Sequence, residues 1–180
     1  CLDRKDGTEL WTSEPVPRMS SILSFFAPTL VVYKDVVLFS GGSPKKNTNA
    51  GGDNRMTALS AATGKTLWSA DHPSSGYKSP EDILVAGGLV WFGATTSGGL
   101  NGVLRGRDPM TGTVKSEFPP DVDTYWFHHR CHRGKATDRY LLMSRTGIEF
   151  VDHSAKHWDI NHWVRGACLY GVLPCNGLVY

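Results

Sequence analysis

Residues 58–68 read ALSAATGKTLW. A polar residue four positions before a glycine, and a tryptophan four positions after it, describe a tight β-hairpin. Ser60 can bond backbone groups of the turn, Gly64 supplies the positive φ that the turn needs, and Trp68 falls on the returning strand. The element recurs as CLDRKDGTELW at 1–11 and GRDPMTGTVKS at 106–116. Asp3, Ser60 and Asp108 share one place, ahead of Gly7, Gly64 and Gly112, while Trp11 and Trp68 follow their glycines at the same distance. A fourth copy, FVDHSAKHWDI at 150–160, keeps Asp152 but carries Lys156 where the glycine belongs.

Two strand-like runs precede each hairpin: 29–33 with 36–40, then 82–85 with 89–93. Each unit therefore holds four short antiparallel strands. The hairpins return after 57 and 48 residues, the period of a β-propeller blade, in which neighbouring sheets bury each other's faces. An irregular β-sandwich has no reason to repeat a glycine-to-tryptophan interval in register. Twenty glycines, ten prolines and short valine- and leucine-rich runs fit the same all-β class.

With strands lettered A to D outward from the axis, residues 1–14 supply only strands C and D of one blade. Whole blades follow at 28–70, 80–118 and 128–162, and 167–180 supplies strands A and B of another. The expectation is one incomplete propeller domain over 1–180, with about three whole blades and two half blades. Its missing blades belong to the same, longer polypeptide. The start at Cys1, without methionine or a charged-then-apolar leader, agrees with a sequence that opens inside a repeat.

The element A-x-D-x-x-T-G-x-x-x-W resembles the tryptophan-docking repeat of the pyrroloquinoline quinone (PQQ) type propellers. Ala58, Thr63, Gly64 and Trp68 match it, with Ser60 at the Asp; Asp3, Gly7 and Trp11 match in the first copy, and Asp108, Thr111 and Gly112 in the third. The stretch 125–180 also resembles a group of large bacterial proteins with PQQ-like propellers. Such repeats occur in quinoprotein alcohol and sugar dehydrogenases and in the non-enzymatic propeller of the outer-membrane protein assembly machinery. The resemblance therefore implies a secreted or periplasmic scaffold that binds a small anionic ligand, a polysaccharide or a protein. It also implies an alternative, a PQQ-dependent alcohol or sugar dehydrogenase in which PQQ and calcium sit partly on missing blades.

The rest of the sequence excludes more than it assigns. A net charge of +2, from 19 Lys and Arg against 17 Asp and Glu, gives no basis for nucleic-acid binding. No run of eighteen apolar residues suggests a membrane span. There is no GxSxG, HExxH or Walker loop, so no residue is assigned a catalytic role. The four cysteines form no CxxC pair, and the adjacent cysteine pair common in quinoproteins is absent.

Ligands of propellers usually bind where the D-to-A and B-to-C connections surround the channel mouth. His128, His129, Arg130, Cys131, His132 and Arg133 crowd into one such connection. Alternation along a strand would turn His129 and Cys131 away from His128, Arg130 and His132, so no metal site is assigned. An anion site is the second reading, since Arg130, Arg133, Lys135, Arg139 and Arg165 face only Asp138 in this neighbourhood of the sequence. A polar network that closes the channel is the third. Trp126 and Trp163 precede Cys131 and Cys168 by five residues in consecutive connections. That match places Cys131 and Cys168 at equivalent points near the mouth, with His129, Arg130 and Arg165 beside them.

Overall fold

The computed structural model describes residues 1–15, 29–40, 55–72, 82–92, 102–122, 132–144, 147–167 and 170–180. Among them there is no helix. Three four-stranded antiparallel sheets follow one another along the chain. The first holds β1 (Thr29–Tyr33), β2 (Val36–Ser40), β3 (Arg55–Ser60) and β4 (Thr66–Asp71). The second holds β5 (Leu84–Ala86), β6 (Leu89–Phe92), β7 (Leu104–Arg107) and β8 (Val114–Phe118), and the third β9 (Lys135–Ala136), β10 (Tyr140–Met143), β11 (Ile148–Asp152) and β12 (His157–Asn161). In each, sequence order is spatial order. A bridge between Leu2 and Glu9 precedes them, and a two-stranded sheet of β13 (Pro174–Cys175) and β14 (Leu178–Val179) follows. This is a partial β-propeller.

Side chains explain why the sheets pack face to face. In a strand, consecutive residues point to opposite faces. Val90 and Phe92 of β6 join Leu38, Met56 and Ala58 of the first sheet in one buried cluster. Trp91, between them, points the other way, into a cluster with Leu141, Val151 and Trp158 of the third sheet. Leu142 then faces Val172, beyond the third sheet. The middle strands are apolar on both faces because each face is an interface, and this is why LVWF and YLLM lack the alternation of a half-exposed strand.

The repeated hairpins also join sheet to sheet. Gly7, Gly64 and Gly112 adopt φ of 77°, 70° and 71°, and each amide donates to the backbone carbonyl of the Asp or Ser four residues earlier. The indole of Trp11 lies on Gly64, where a Cβ would collide with its ring, and its Nε1 donates to the Ala61 carbonyl at 2.9 Å. Trp68 repeats the arrangement on Gly112, with Nε1 donating to the Pro109 carbonyl at 2.8 Å. Each tryptophan thus docks on the glycine turn of the next unit.

The third joint lacks both partners. By the same rule a residue at 116 would dock on one at 156, and these are Ser116 and Lys156. The turn survives nevertheless: Lys156 takes φ of 57°, and Asp152 accepts from the Ser154 and Ala155 amides at 3.0 and 2.9 Å. Bonds from Ser154, Ala155 and Arg139 hold its carboxyl well below the usual carboxylate range. A polar staple spans the joint instead. Asp121 accepts from the Trp158 amide at 2.8 Å and from His157 Nδ1 at 2.6 Å. Because a lysine in the left-handed region is strained while glycine there is not, Lys156→Gly is expected to raise stability by about 0.5–1 kcal/mol. Adding Ser116→Trp should raise it further and non-additively. A urea midpoint unmoved by both changes would show that the lost docking pair has no energetic consequence here.

Candidate functional site

One end of the three sheets is polar. Strand register puts Thr29, Ser40, Met56 and Ala70 at one end of the first sheet, and Leu142, Met143 and Glu149 near the corresponding end of the third. Seven buried polar residues are found among the described ones: Ser40, Thr57, His72, His132, Ser144, Glu149 and Asp152. All but Asp152 lie at or beside this end. Burying a polar group without a partner costs several kcal/mol, so such a concentration is a built feature and not a by-product of packing.

Its centre is Asp82, which stands two residues before β5. Arg133 stands in the same place before β9, and Thr29 opens β1. One Asp82 oxygen accepts the Gly134 amide at 2.6 Å, and the other lies 3.4 Å from Arg133 Nη1, which also donates to the Thr29 hydroxyl. The carboxylate and the guanidinium therefore tie together the inner strands of three consecutive sheets. His72 completes the set by donating from Nε2 to the Asp82 carbonyl at 2.8 Å, while its ring stacks on Phe92 at 5.2 Å. His132 is fully buried, donates from Nδ1 to the Arg133 carbonyl at 3.1 Å, and fits against Gly166 and Gly171, where added Cβ atoms would lie 2.8 and 2.9 Å from its ring.

Burial pushes the Asp82 carboxyl up to about 6, against the bond from Gly134 and the charges of Arg133 and His72, which pull it down. The folded chain then holds this proton more tightly than the unfolded chain. Stability from this group is complete below about pH 4 and is lost, on the order of 2–3 kcal/mol, as pH rises through 6. Asp82→Asn is expected to flatten the stability profile between pH 4 and 7. An unchanged slope would assign the titration to another group.

Of the residues expected at the mouth, Arg133 is half-buried in this arrangement and Arg165 is exposed in the segment that leaves β12. His128, His129, Arg130, Cys131, Cys168 and Trp126 lie outside the described residues. Two arginines of the basic cluster are not opposed by Asp138. Arg133 faces Asp82, and Arg139 donates to Asp152 at 2.8 Å. Proximity in sequence misses both carboxylates, because sheet packing and strand pairing bring them in. Asp82, His72 and Thr29 were not singled out in the sequence. The equivalence of Asp82 and Arg133, opposite charges two residues before an inner strand, shows only in the observed strand bounds, because the sequence pattern puts Asp82 inside the run 82–85 whereas the strand opens at Leu84. Among the described residues no group of three or more His, Cys, Asp or Glu could hold a metal ion.

Four-stranded sheets joined by tryptophan docking, with polar groups gathered at one end, define a PQQ-like β-propeller. Residues 1–115 match the family described as outer membrane protein assembly factor BamB, and the chain belongs to that family. No curated protein matches it. Among solved structures it is similar to the computationally designed Ika8 protein, at 14% identity and a TM-score of 0.60, over 99% of this chain and 47% of that one. BamB from Moraxella catarrhalis is matched at 16% identity and a TM-score of 0.44, over 70% of this chain and 32% of that one. The quinohemoprotein alcohol dehydrogenase ADHIIG from Pseudomonas putida is matched at 17% identity and a TM-score of 0.49, over 78% and 21%. The chain spans less than half the length of each of these structures. Among the described residues no helix is long and apolar enough to cross a membrane.

Proposed function

We propose that this chain is part of a secreted or periplasmic PQQ-like propeller that acts as a binding scaffold, presenting the polar end of its sheets to a ligand or protein. The observation that carries this reading is the tie from Thr29 through Arg133 to Asp82 and Gly134. It fixes three inner strands relative to one another, and a surface fixed before its ligand arrives loses little entropy on binding. The family's description as an assembly factor supports a protein partner; a polysaccharide or small anion suits the same polar end. Arg133 and Arg165, with His129, Arg130, Cys131 and Cys168, are the proposed mouth residues. Residues 1–14 and 167–180 are taken as half blades.

The test uses the full-length protein reconstituted with PQQ and calcium and assayed for dye reduction with alcohols and sugars. No PQQ-dependent turnover is expected. Turnover that requires PQQ would overturn the scaffold reading in favour of a quinoprotein dehydrogenase.

A further inference from the structure

We propose that the mouth binds a small dianion such as sulfate or a phosphate group on Arg133, and that Asp82 takes up a proton as the anion comes to share the guanidinium with it. This rests on the reading of the polar end as a binding face, and it names the ligand chemistry and its control by pH. Arg133 is placed between two sheets, half-buried, with a planar fork suited to an oxyanion. Its counter-charge is Asp82, whose side chain is only 12% exposed and whose other oxygen is held by the Gly134 amide.

An external anion and an ionised Asp82 cannot both sit against one guanidinium without repulsion. Protonating Asp82 removes that conflict and leaves its bond from Gly134 intact, because a carboxylic acid keeps a carbonyl oxygen as acceptor. The charged or titratable groups that face Asp82 among the described residues are Arg133 and the ring of His72; the Gly134 amide beside it is neutral. The carboxyl titrates at about 6, so the proton exchange falls within an ordinary experimental range.

Sulfate is the probe, because its charge does not change between pH 5 and 8. Calorimetric titration of the full chain at fixed ionic strength is expected to show affinity about thirty-fold higher at pH 5.0 than at pH 7.5, following the protonated fraction of Asp82. Buffers of different ionisation enthalpy should report about one proton taken up per sulfate near pH 7. Asp82→Asn should bind at pH 7.5 as tightly as the unaltered chain does at pH 5.0. Arg133→Gln should lose binding at every pH, and Arg133→Lys should bind more weakly while keeping the pH dependence. No binding at pH 5.0, affinity independent of pH, or binding that survives Arg133→Gln would overturn the proposal. So would a pH dependence that persists in Asp82→Asn, since Asp82 would then not carry it. Those failures leave the scaffold reading standing, because that reading falls only to PQQ-dependent turnover.

Discussion

Trp68→Ala is expected to lower the stability of the full-length protein by about 3–5 kcal/mol, the range for removing a large docked aromatic ring. The indole fills the space above Gly112, where an added Cβ would lie 2.6 Å from the ring, and Nε1 donates to the Pro109 carbonyl. It also stacks on Phe92, with ring centroids 6.5 Å apart and planes within 11°. Truncation leaves a void at the joint between the first two sheets and an acceptor without its donor. Trp68→Phe should cost less, about 1 kcal/mol of it from the lost hydrogen bond. Gly112→Ala should approach the alanine variant in cost, for it both forces a Cβ into the ring and strains a backbone at φ of 71°. In a Trp68→Ala background the same glycine change should cost only its backbone strain, about 1 kcal/mol. Additive costs in this cycle, or a denaturation midpoint unmoved by Trp68→Ala, would reject docking as the bond between units.

This contact marks how far the sequence could be read. The hairpins were legible because turn chemistry is local: an Asp or Ser, a glycine and their spacing lie within eleven residues. The tryptophan interval was legible as a repeat. Its destination was not, since Trp11 lands 53 residues ahead and Trp68 44 ahead, on glycines that the local pattern had already explained by the turn alone. The replacement of the docking pair by Ser116 and Lys156 makes sense only once that destination is known. The polar end follows the same division. Arg133 drew attention because it stands in a dense basic run, whereas Asp82 sits in an ordinary stretch before a short strand and becomes informative only when sheet packing brings it to Arg133.

Gly147→Ala is expected to be the most damaging single-methyl substitution at the polar end, costing at least about 3 kcal/mol. Gly147 has no unusual φ, so the argument is one of space and not of backbone conformation. A Cβ there would overlap the Asn161 carbonyl oxygen, and it would lie 2.9 Å from the Asn161 carbonyl carbon and 3.0 Å from the Val164 oxygen. All three atoms are backbone, so no side chain can rotate aside. The Asn161 carbonyl also lies at the end of β12, paired with Ile148, which limits retreat on that side. The segment it touches carries Trp163, 95% exposed, with its amide bonded to the Asn161 side chain at 3.1 Å. Overpacking of ordinary cores costs about 1–3 kcal/mol because neighbours share the displacement, and a backbone-to-backbone contact removes that relief. Hydrogen exchange should show residues 161–167 and β11 opening together in the variant, with the first sheet unaffected. A cost below about 1 kcal/mol, or exchange that accelerates only in 161–167, would mean that this segment shifts independently of the third sheet. The polar end would then be adaptable on that side, and its rigid part would be limited to the tie among Thr29, Asp82 and Arg133.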